Sequence, residues 1–250
     1  KVIKPPTGGN DVRLTLDARI QHIIESELRQ QVDNTQSVSG TVVAMNPHTG
    51  AILALANYPD YDPNNYGDAG AFARKNRAVV DAYEPGSTFK IITAAAAFEA
   101  GVVSPDDMFD CQMGSIVIGR RTIRDHKEFG VMSFRDVLKF SSNVGTIKVG
   151  ALVGEERLWS MARRFGYGIG TGIDLPAENR GILRNVEDWS ANSYGSISIG
   201  QEVSGPPVQI ILNVAVVANG GYWVRPHIVE QVEKDNGTVV VRNAPEKRKI

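Results

Sequence analysis

Between residues 17 and 32 apolar side chains recur every three to four positions, at Ile20, Ile23, Ile24, Leu28 and Val32, which makes one stripe of a helix. Two short apolar runs follow, 40–45 and 51–56, joined by Asn46-Pro47-His48-Thr49-Gly50. That turn chemistry between two apolar runs predicts a strand hairpin. The polar segment 58–65, with two prolines, is expected to be loop. From Ser87 to about Gly166 the pattern turns helical. Segment 88–100 is Ala-rich, nearly uncharged and apolar on every face, so it should be buried and should stop at Gly101. Shorter helices are predicted over 133–140, capped by Ser133 with Asp136 three residues on, and over 155–165, closed by Gly166. Segment 208–218 reads as a further apolar helix, and the chain finishes with a hairpin, 223–233 and 238–242, around Asp235-Asn236-Gly237. Residues 1–10, with Pro5-Pro6 and Gly8-Gly9, read as a linker. Two hairpins around a helical body indicate an α/β domain of the α+β type, with no internal repeat.

Charge and composition narrow the function classes. Lys and Arg total 27 against 28 Asp and Glu, a net charge of −1, so the basic excess of a nucleic-acid binder is missing. Hydrophobic residues at 42% and charged residues at 22% are ordinary globular usage, which excludes a disordered chain. A single cysteine, Cys111, forbids an intrachain disulfide and a cysteine-based zinc cluster, and is expected to be a small buried residue. His22, His48, His126 and His227 are scattered, without metal-ligand spacing, and are assigned structural or surface roles. No apolar run is long enough to span a bilayer, and nothing resembles a start methionine or a signal peptide. The chain is therefore expected to be an internal portion whose anchor, if any, lies upstream. Arg120-Arg121 and Arg163-Arg164 read as solvated faces.

The sharpest local feature is Glu84-Pro85-Gly86-Ser87-Thr88-Phe89-Lys90. Pro85-Gly86 breaks the chain just before the buried helix, which puts Ser87 at its first turn. Free N–H groups and the positive dipole end favour negative charge at the Ser87 oxygen there. Lys90 shares the helix face and is in reach of that hydroxyl. Desolvation on an apolar helix disfavours its ammonium form and suits it to act as a base for acyl transfer. The plainer alternative is a serine cap with a lysine that snorkels to solvent, and Ser-x-x-Lys alone is a weak motif. A second feature, Ser141-Ser142-Asn143, falls between two helices. A hydroxyl there could relay a proton and an amide could hold a peptide group, although simple capping accounts for the same residues.

Taken together, Ser87-x-x-Lys90 and Ser141-x-Asn143 resemble the penicillin-binding proteins and serine β-lactamases. Other stretches are similar to the class B penicillin-binding proteins, the monofunctional D,D-transpeptidases of cell division and elongation. They are Leu14-Thr15-Leu16-Asp17 with Gln21, the segment from Val43 to Ala54, Pro59-Asp60-Tyr61-Asp62-Pro63-Asn64, Asn76-Arg77-Ala78, Gly200-Gln201-Glu202 and Ala218-Asn219-Gly220-Gly221. The resemblance implies a transpeptidase fold, with an antiparallel sheet flanked by helices and a helical subdomain. It implies that Ser87 attacks the penultimate D-Ala carbonyl of a peptidoglycan stem peptide and that Lys90 takes the hydroxyl proton. Ser141 would pass a proton to the leaving group, and Asn143, with Ser142 beside it, would bind substrate. It further implies β-lactams as covalent ligands, no cofactor or metal, membrane-associated division or elongation proteins as partners, and a catalytic domain outside the inner membrane.

The family's third box, Lys-[Ser/Thr]-Gly, is not found in this sequence. In the family that strand supplies one oxyanion-hole N–H, and losing one such donor costs about 3 kcal/mol. Residues 11–250 are thus expected to be most of a transpeptidase domain without its C-terminal part, inactive alone and with helix 88–100 short of a sheet to pack on. Two other readings compete: a serine β-lactamase, which should turn penicillin over rapidly, and a non-catalytic β-lactam sensor or wall-assembly scaffold. The segment Gly166-Tyr167-Gly168-Ile169-Gly170-Thr171-Gly172 follows a helix and misses the Gly-x-Gly-x-x-Gly spacing, so it reads as a glycine-rich loop and not a nucleotide site.

Overall fold

The computed structural model of the chain describes residues 8–250. Positions 1–7 of the predicted linker lie outside the described residues, and 8–10 are exposed and irregular. Strand β1 (Asp11–Leu14) leads into helix α1 (Ala18–Thr35). Asp17 caps α1 by accepting from the N–H groups of Arg19 and Ile20 at 2.8 and 3.3 Å, and these bonds hold its carboxyl below the usual range. Strands β2 (Gly40–Met45) and β3 (Ile52–Tyr58) form the predicted antiparallel hairpin. β3 runs past its apolar stretch because Asn57 and Tyr58 still pair with Thr41 and Gly40. Leu28 and Val32 of α1 pack on Ala56, whereas Ile23 points to solvent, so the buried stripe is narrower than its pattern. Gln21 ties α1 to the hairpin, its amide donating to the Leu55 carbonyl at 2.9 Å and accepting from the Leu55 N–H at 2.8 Å. The expected loop 58–65 in fact ends β3 and opens a 3-10 turn, Pro63–Asp68, capped by Asp62.

After the short helix α2 (Arg77–Val80), a 3-10 turn, Gly86–Phe89, opens into α3 (Lys90–Glu99). The predicted helix 88–100 is present, with its first turn tightened to 3-10 geometry and its end at Gly101, which takes a φ of 63°. Next come four strands, β4 (Met108–Asp110), β5 (Ser115–Ile118), β6 (Arg121–Arg124) and β7 (Val131–Ser133). β4 pairs with β7 and β5 with β6, all antiparallel. They correct the helical reading of 87–166: strands of three or four residues are too short for a period of two to show. Helices α4 (Phe134–Lys139), α5 (Asn143–Val153) and α6 (Glu155–Phe165) follow. Ser133 caps α4 by accepting from the Asp136 N–H at 3.2 Å, and Gly166 closes α6 in the left-handed region.

Helices α7 (Ser193–Ser198) and α8 (Pro207–Ala218) precede strands β8 (Tyr222–Val224), β9 (Val229–Glu233), β10 (Val239–Arg242) and β11 (Lys247–Lys249). The predicted strand 223–233 is two strands, because Pro226 interrupts it. β8 pairs with β11, while β9 lies between β1 and β10. The Ile52 N–H donates to the His227 carbonyl at 2.9 Å, which joins the β2–β3 hairpin to this C-terminal region.

Helix α3 is enclosed by α5, α6 and α8. Phe89, Ile92, Leu158, Phe165 and Leu212 are buried around its Ala96 and Ala97, each large side chain worth about 1.5–3 kcal/mol of burial. The helix is therefore covered by helices on these sides, and its main packing partners include no strand, in line with the expectation that it is short of a sheet. Cys111 is buried in the same core, as expected, and burial pushes its thiol up.

Candidate active site

Ser87 sits exposed in the 3-10 turn that opens α3, and Gly86 before it takes a φ of 57°. Lys90, one turn further, is only 3% exposed. Its Nζ lies 2.6 Å from the Ser141 carbonyl, 3.0 Å from Ser141 Oγ and 2.8 Å from Asn143 Oδ1. Burial pulls the Lys90 ammonium down to about 8 from its ordinary 10.5, against the opposing pull of the Asp125 carboxylate. A neutral Lys90 amine would still donate to the two carbonyl oxygens, and its single lone pair, which the Ser141 hydroxyl can share, is the site that an incoming proton would take. No hydrogen bond joins Ser87 Oγ to Lys90 Nζ among the described residues; the reach expected from spacing is replaced by a Lys90 fully engaged with Ser141 and Asn143. Unliganded sites often leave such contacts to be completed by substrate.

The Ser141-Ser142-Asn143 turn joins α4 to α5, as the sequence suggested. Ser141 adopts a φ of 56°, an unusual left-handed conformation for a serine, which turns both its carbonyl and its hydroxyl onto Lys90. Asn143 donates through Nδ2 to the Arg124 carbonyl at 2.8 Å and accepts from Lys90. One amide hydrogen and one carbonyl lone pair remain for a substrate peptide group. Ser142 is a correction. It is fully buried, accepts from the Gly145 N–H at 3.0 Å and donates to Asp125 Oδ2 at 2.7 Å. Its hydroxyl is committed to capping α5 and to Asp125, and the side chain is not on the exposed face where a substrate contact was expected.

Two carboxylates at this site escaped the sequence reading. Asp125, just after β6, accepts from the Ser142 hydroxyl and from the N–H groups of Asn143 and Val144, and so anchors the whole turn at the N-terminus of α5. Glu202 occupies a left-handed φ of 60° and draws several elements together. Its carboxylate accepts from Arg184 at 2.6 Å and Ser193 at 2.8 Å and lies 3.6 Å from Arg121. Burial pushes its acidity one way, while bonds from Ser193 and Ser196 and the two arginines hold it below the ordinary glutamate value. Its own N–H donates to Glu84 Oε1 at 2.9 Å, and the Gly86 N–H donates to the Gly200 carbonyl at 3.0 Å. The nucleophile turn is thus strapped to residues 200–205. Gly200 is obligatory in that strap, because its φ is 78° and an added Cβ would lie 2.2 Å from the Gly86 carbonyl oxygen.

The glycine-rich loop 166–172 holds an internal anion: the N–H groups of Thr171 and Gly172 donate to the Glu178 carboxylate at 2.6 and 3.1 Å. Arg163 and Arg164 are half-buried, one bonded to the Tyr167 carbonyl and the other paired with Glu99, and are not the free solvated pair expected.

A buried amine held against a serine and an asparagine, behind an exposed serine at a helix start, in a mixed antiparallel and helical fold, is the architecture of penicillin-binding transpeptidases. The family model described as the penicillin binding protein transpeptidase domain matches residues 40–250. The chain is 36% identical over 243 residues to the penicillin-binding protein PbpB of Mycolicibacterium smegmatis, covering 95% of this chain and 37% of that protein. It is 38% identical over 197 residues to a probable peptidoglycan D,D-transpeptidase, PenA, of Neisseria gonorrhoeae, covering 79% of this chain and 34% of that one. The crystal structure of penicillin-binding protein 3 from Mycobacterium tuberculosis complexed with aztreonam superposes with a TM-score of 0.91 at 33% identity, over 100% of this chain and 56% of that chain. The chain belongs to the transpeptidase-domain family of class B penicillin-binding proteins. It spans 37% and 34% of the length of the two curated relatives. Among the described residues no helix is long and apolar enough to cross a membrane.

Proposed function

We propose that this domain is the acyl-transfer centre of a peptidoglycan D,D-transpeptidase. In this reading Ser87 Oγ attacks the penultimate D-Ala carbonyl of a stem peptide. The free-base form of Lys90 takes the hydroxyl proton, and Ser141, 3.0 Å from Lys90 Nζ, passes it to the departing D-Ala amine. Asn143 holds the donor's amide with its remaining donor and acceptor. An amine from a neighbouring stem then displaces Ser87 and forms the cross-link. β-Lactams acylate the same serine, and the resulting ester is long-lived. The domain works outside the inner membrane, with membrane-associated division or elongation proteins as partners. The observation that carries this reading is a lysine 3% exposed, with its amine shared between Ser141 and Asn143 one turn beyond Ser87.

The test is fluorescent-penicillin labelling of the full-length protein that carries this domain. The expected result is one adduct per chain that survives denaturing electrophoresis and disappears in Ser87→Ala. Rapid turnover of penicillin would favour a β-lactamase, and unchanged labelling of Ser87→Ala would overturn the proposal.

A further inference from the structure

Two halves of the site meet at Glu202. On one side its N–H donates to Glu84 Oε1 at 2.9 Å, the Gly86 N–H donates to the Gly200 carbonyl at 3.0 Å, and Tyr83 and Gly205 exchange backbone hydrogen bonds at 3.1 Å. The chain leading into Ser87 thus lies along residues 200–205. On the other side the carboxylate accepts from Arg184 at 2.6 Å and from the Ser193 hydroxyl at 2.8 Å, and its second oxygen lies 3.6 Å from Arg121. Arg121 opens β6, and the end of β6 holds the Ser141–Asn143 turn. There the Arg124 carbonyl accepts from Asn143 Nδ2 at 2.8 Å, and Asp125 accepts from the Ser142 hydroxyl and the Asn143 N–H. Ile118 and Ile123 of the β5–β6 hairpin pack with Ile147 of α5 and with Ile199, the residue before Gly200.

Two observations set this carboxylate apart. Glu202 holds a φ of 60°, a region that glycine enters freely and a glutamate only against steric resistance, so backbone geometry alone would favour glycine here. The charges also close on themselves. Arg121 and Arg184 balance Glu84 and Glu202, and the Glu202 side chain is only 22% exposed. A neutral, largely covered cluster offers no net charge to a ligand; it has the form of a clamp between two backbone segments.

Building on the proposed transpeptidase reading, we infer that Glu202 is a positioning residue, which through Arg121 and its own backbone fixes the Ser87 turn relative to the Ser141–Asn143 turn. It touches no reacting atom. Lys90 carries the consequence, because its amine is bound to Ser141 and Asn143. A slip of β6 against residues 200–205 draws that turn, and the amine it holds, away from Ser87 Oγ. A misplacement of about 1 Å is enough to slow a reaction about a hundredfold.

The test is stopped-flow acylation by penicillin over a range of concentrations in the full-length protein, which separates the dissociation constant of the initial complex from the acylation rate constant. Glu202→Gln keeps the backbone bond to Glu84 but loses the charge that holds the two arginines. It is expected to lower the acylation rate constant by about tenfold to a hundredfold. The initial complex should stay within about threefold of wild type, because Asn143 keeps its own anchors on Arg124 and Asp125. Glu202→Gly, which relaxes the backbone, should be no faster than Glu202→Gln. Arg121→Gln changes an exposed side chain and should slow acylation by about threefold; it carries the test if a Glu202 variant does not fold. Combined with Glu202→Gln it should add nothing, since both remove the same contact. An unchanged rate constant in Glu202→Gln or Arg121→Gln, a glycine variant as fast as wild type, or two effects that multiply overturns the clamp and leaves the transpeptidase reading standing. A wild-type protein that forms no penicillin adduct overturns both.

Discussion

Removing the Asp125 carboxylate should separate the two roles assigned to it. It accepts three hydrogen bonds, from the Ser142 hydroxyl and from the N–H groups of Asn143 and Val144. A hydrogen bond to a charged group contributes about 1.5–3 kcal/mol, but Asp125 is partly accessible and water will replace some of the loss. Asp125→Ala strands a fully buried Ser142 hydroxyl and a helix N-terminal N–H, so a net cost of about 2–4 kcal/mol is expected. For a domain of this size that is a fall in Tm of roughly 4–16 °C. The second effect has a distinct sign. Asp125 is the charge that raises the Lys90 ammonium against the larger pull of burial. Without it the lysine loses its proton more readily, and the pH midpoint of penicillin acylation moves below that of the wild type. Calorimetry and the second-order acylation rate measured from pH 6 to 10 read the two effects separately. An unchanged Tm, or a midpoint that stays put or rises, would refute the reasoning.

Other expectations follow from the same geometry. If the proposed base is the free amine of Lys90, acylation in the wild type should rise with pH through about 8; from pH 7 to 9 the neutral fraction grows about tenfold, and a flat profile would remove Lys90 as the base. Burial of that lysine also costs stability. The unfolded chain holds the Lys90 proton up to about 10.5 and the folded one only to about 8, so its contribution to stability should increase between those values and be flat below 8. Lys90→Met should slow acylation by about 10²–10⁴ in stopped-flow fluorescence. Gly200→Ala should distort the strap beneath the nucleophile turn, since its Cβ would meet the Gly86 carbonyl, and should lower acylation and Tm together.

Local chemistry was legible in the sequence wherever it repeats or clusters along the chain. The β2–β3 hairpin, α6, α8 and the capping of α4 by Ser133 match their patterns, as does the placement of Ser87, Lys90 and the Ser141–Asn143 turn. What escaped depends on contacts distant in sequence. Asp125 reaches Ser142 across 17 positions and Glu84 meets Glu202 across 118, and no periodicity marks either partnership. Asp125 also follows a strand too short to show alternation, in a region whose apolar content reads as helix. For Ser142 the sequence leaves two roles open, because a serine that caps a helix and one that faces substrate look identical until burial is known.

The central claim is that Ser87 is the nucleophile. It is tested most directly by treating the full-length protein with penicillin, digesting it and locating the added mass by tandem mass spectrometry. The account predicts one penicilloyl group, carried by the peptide containing Ser87 and lost in Ser87→Ala. An adduct on Ser141 or any other residue, or one retained in Ser87→Ala, would contradict it.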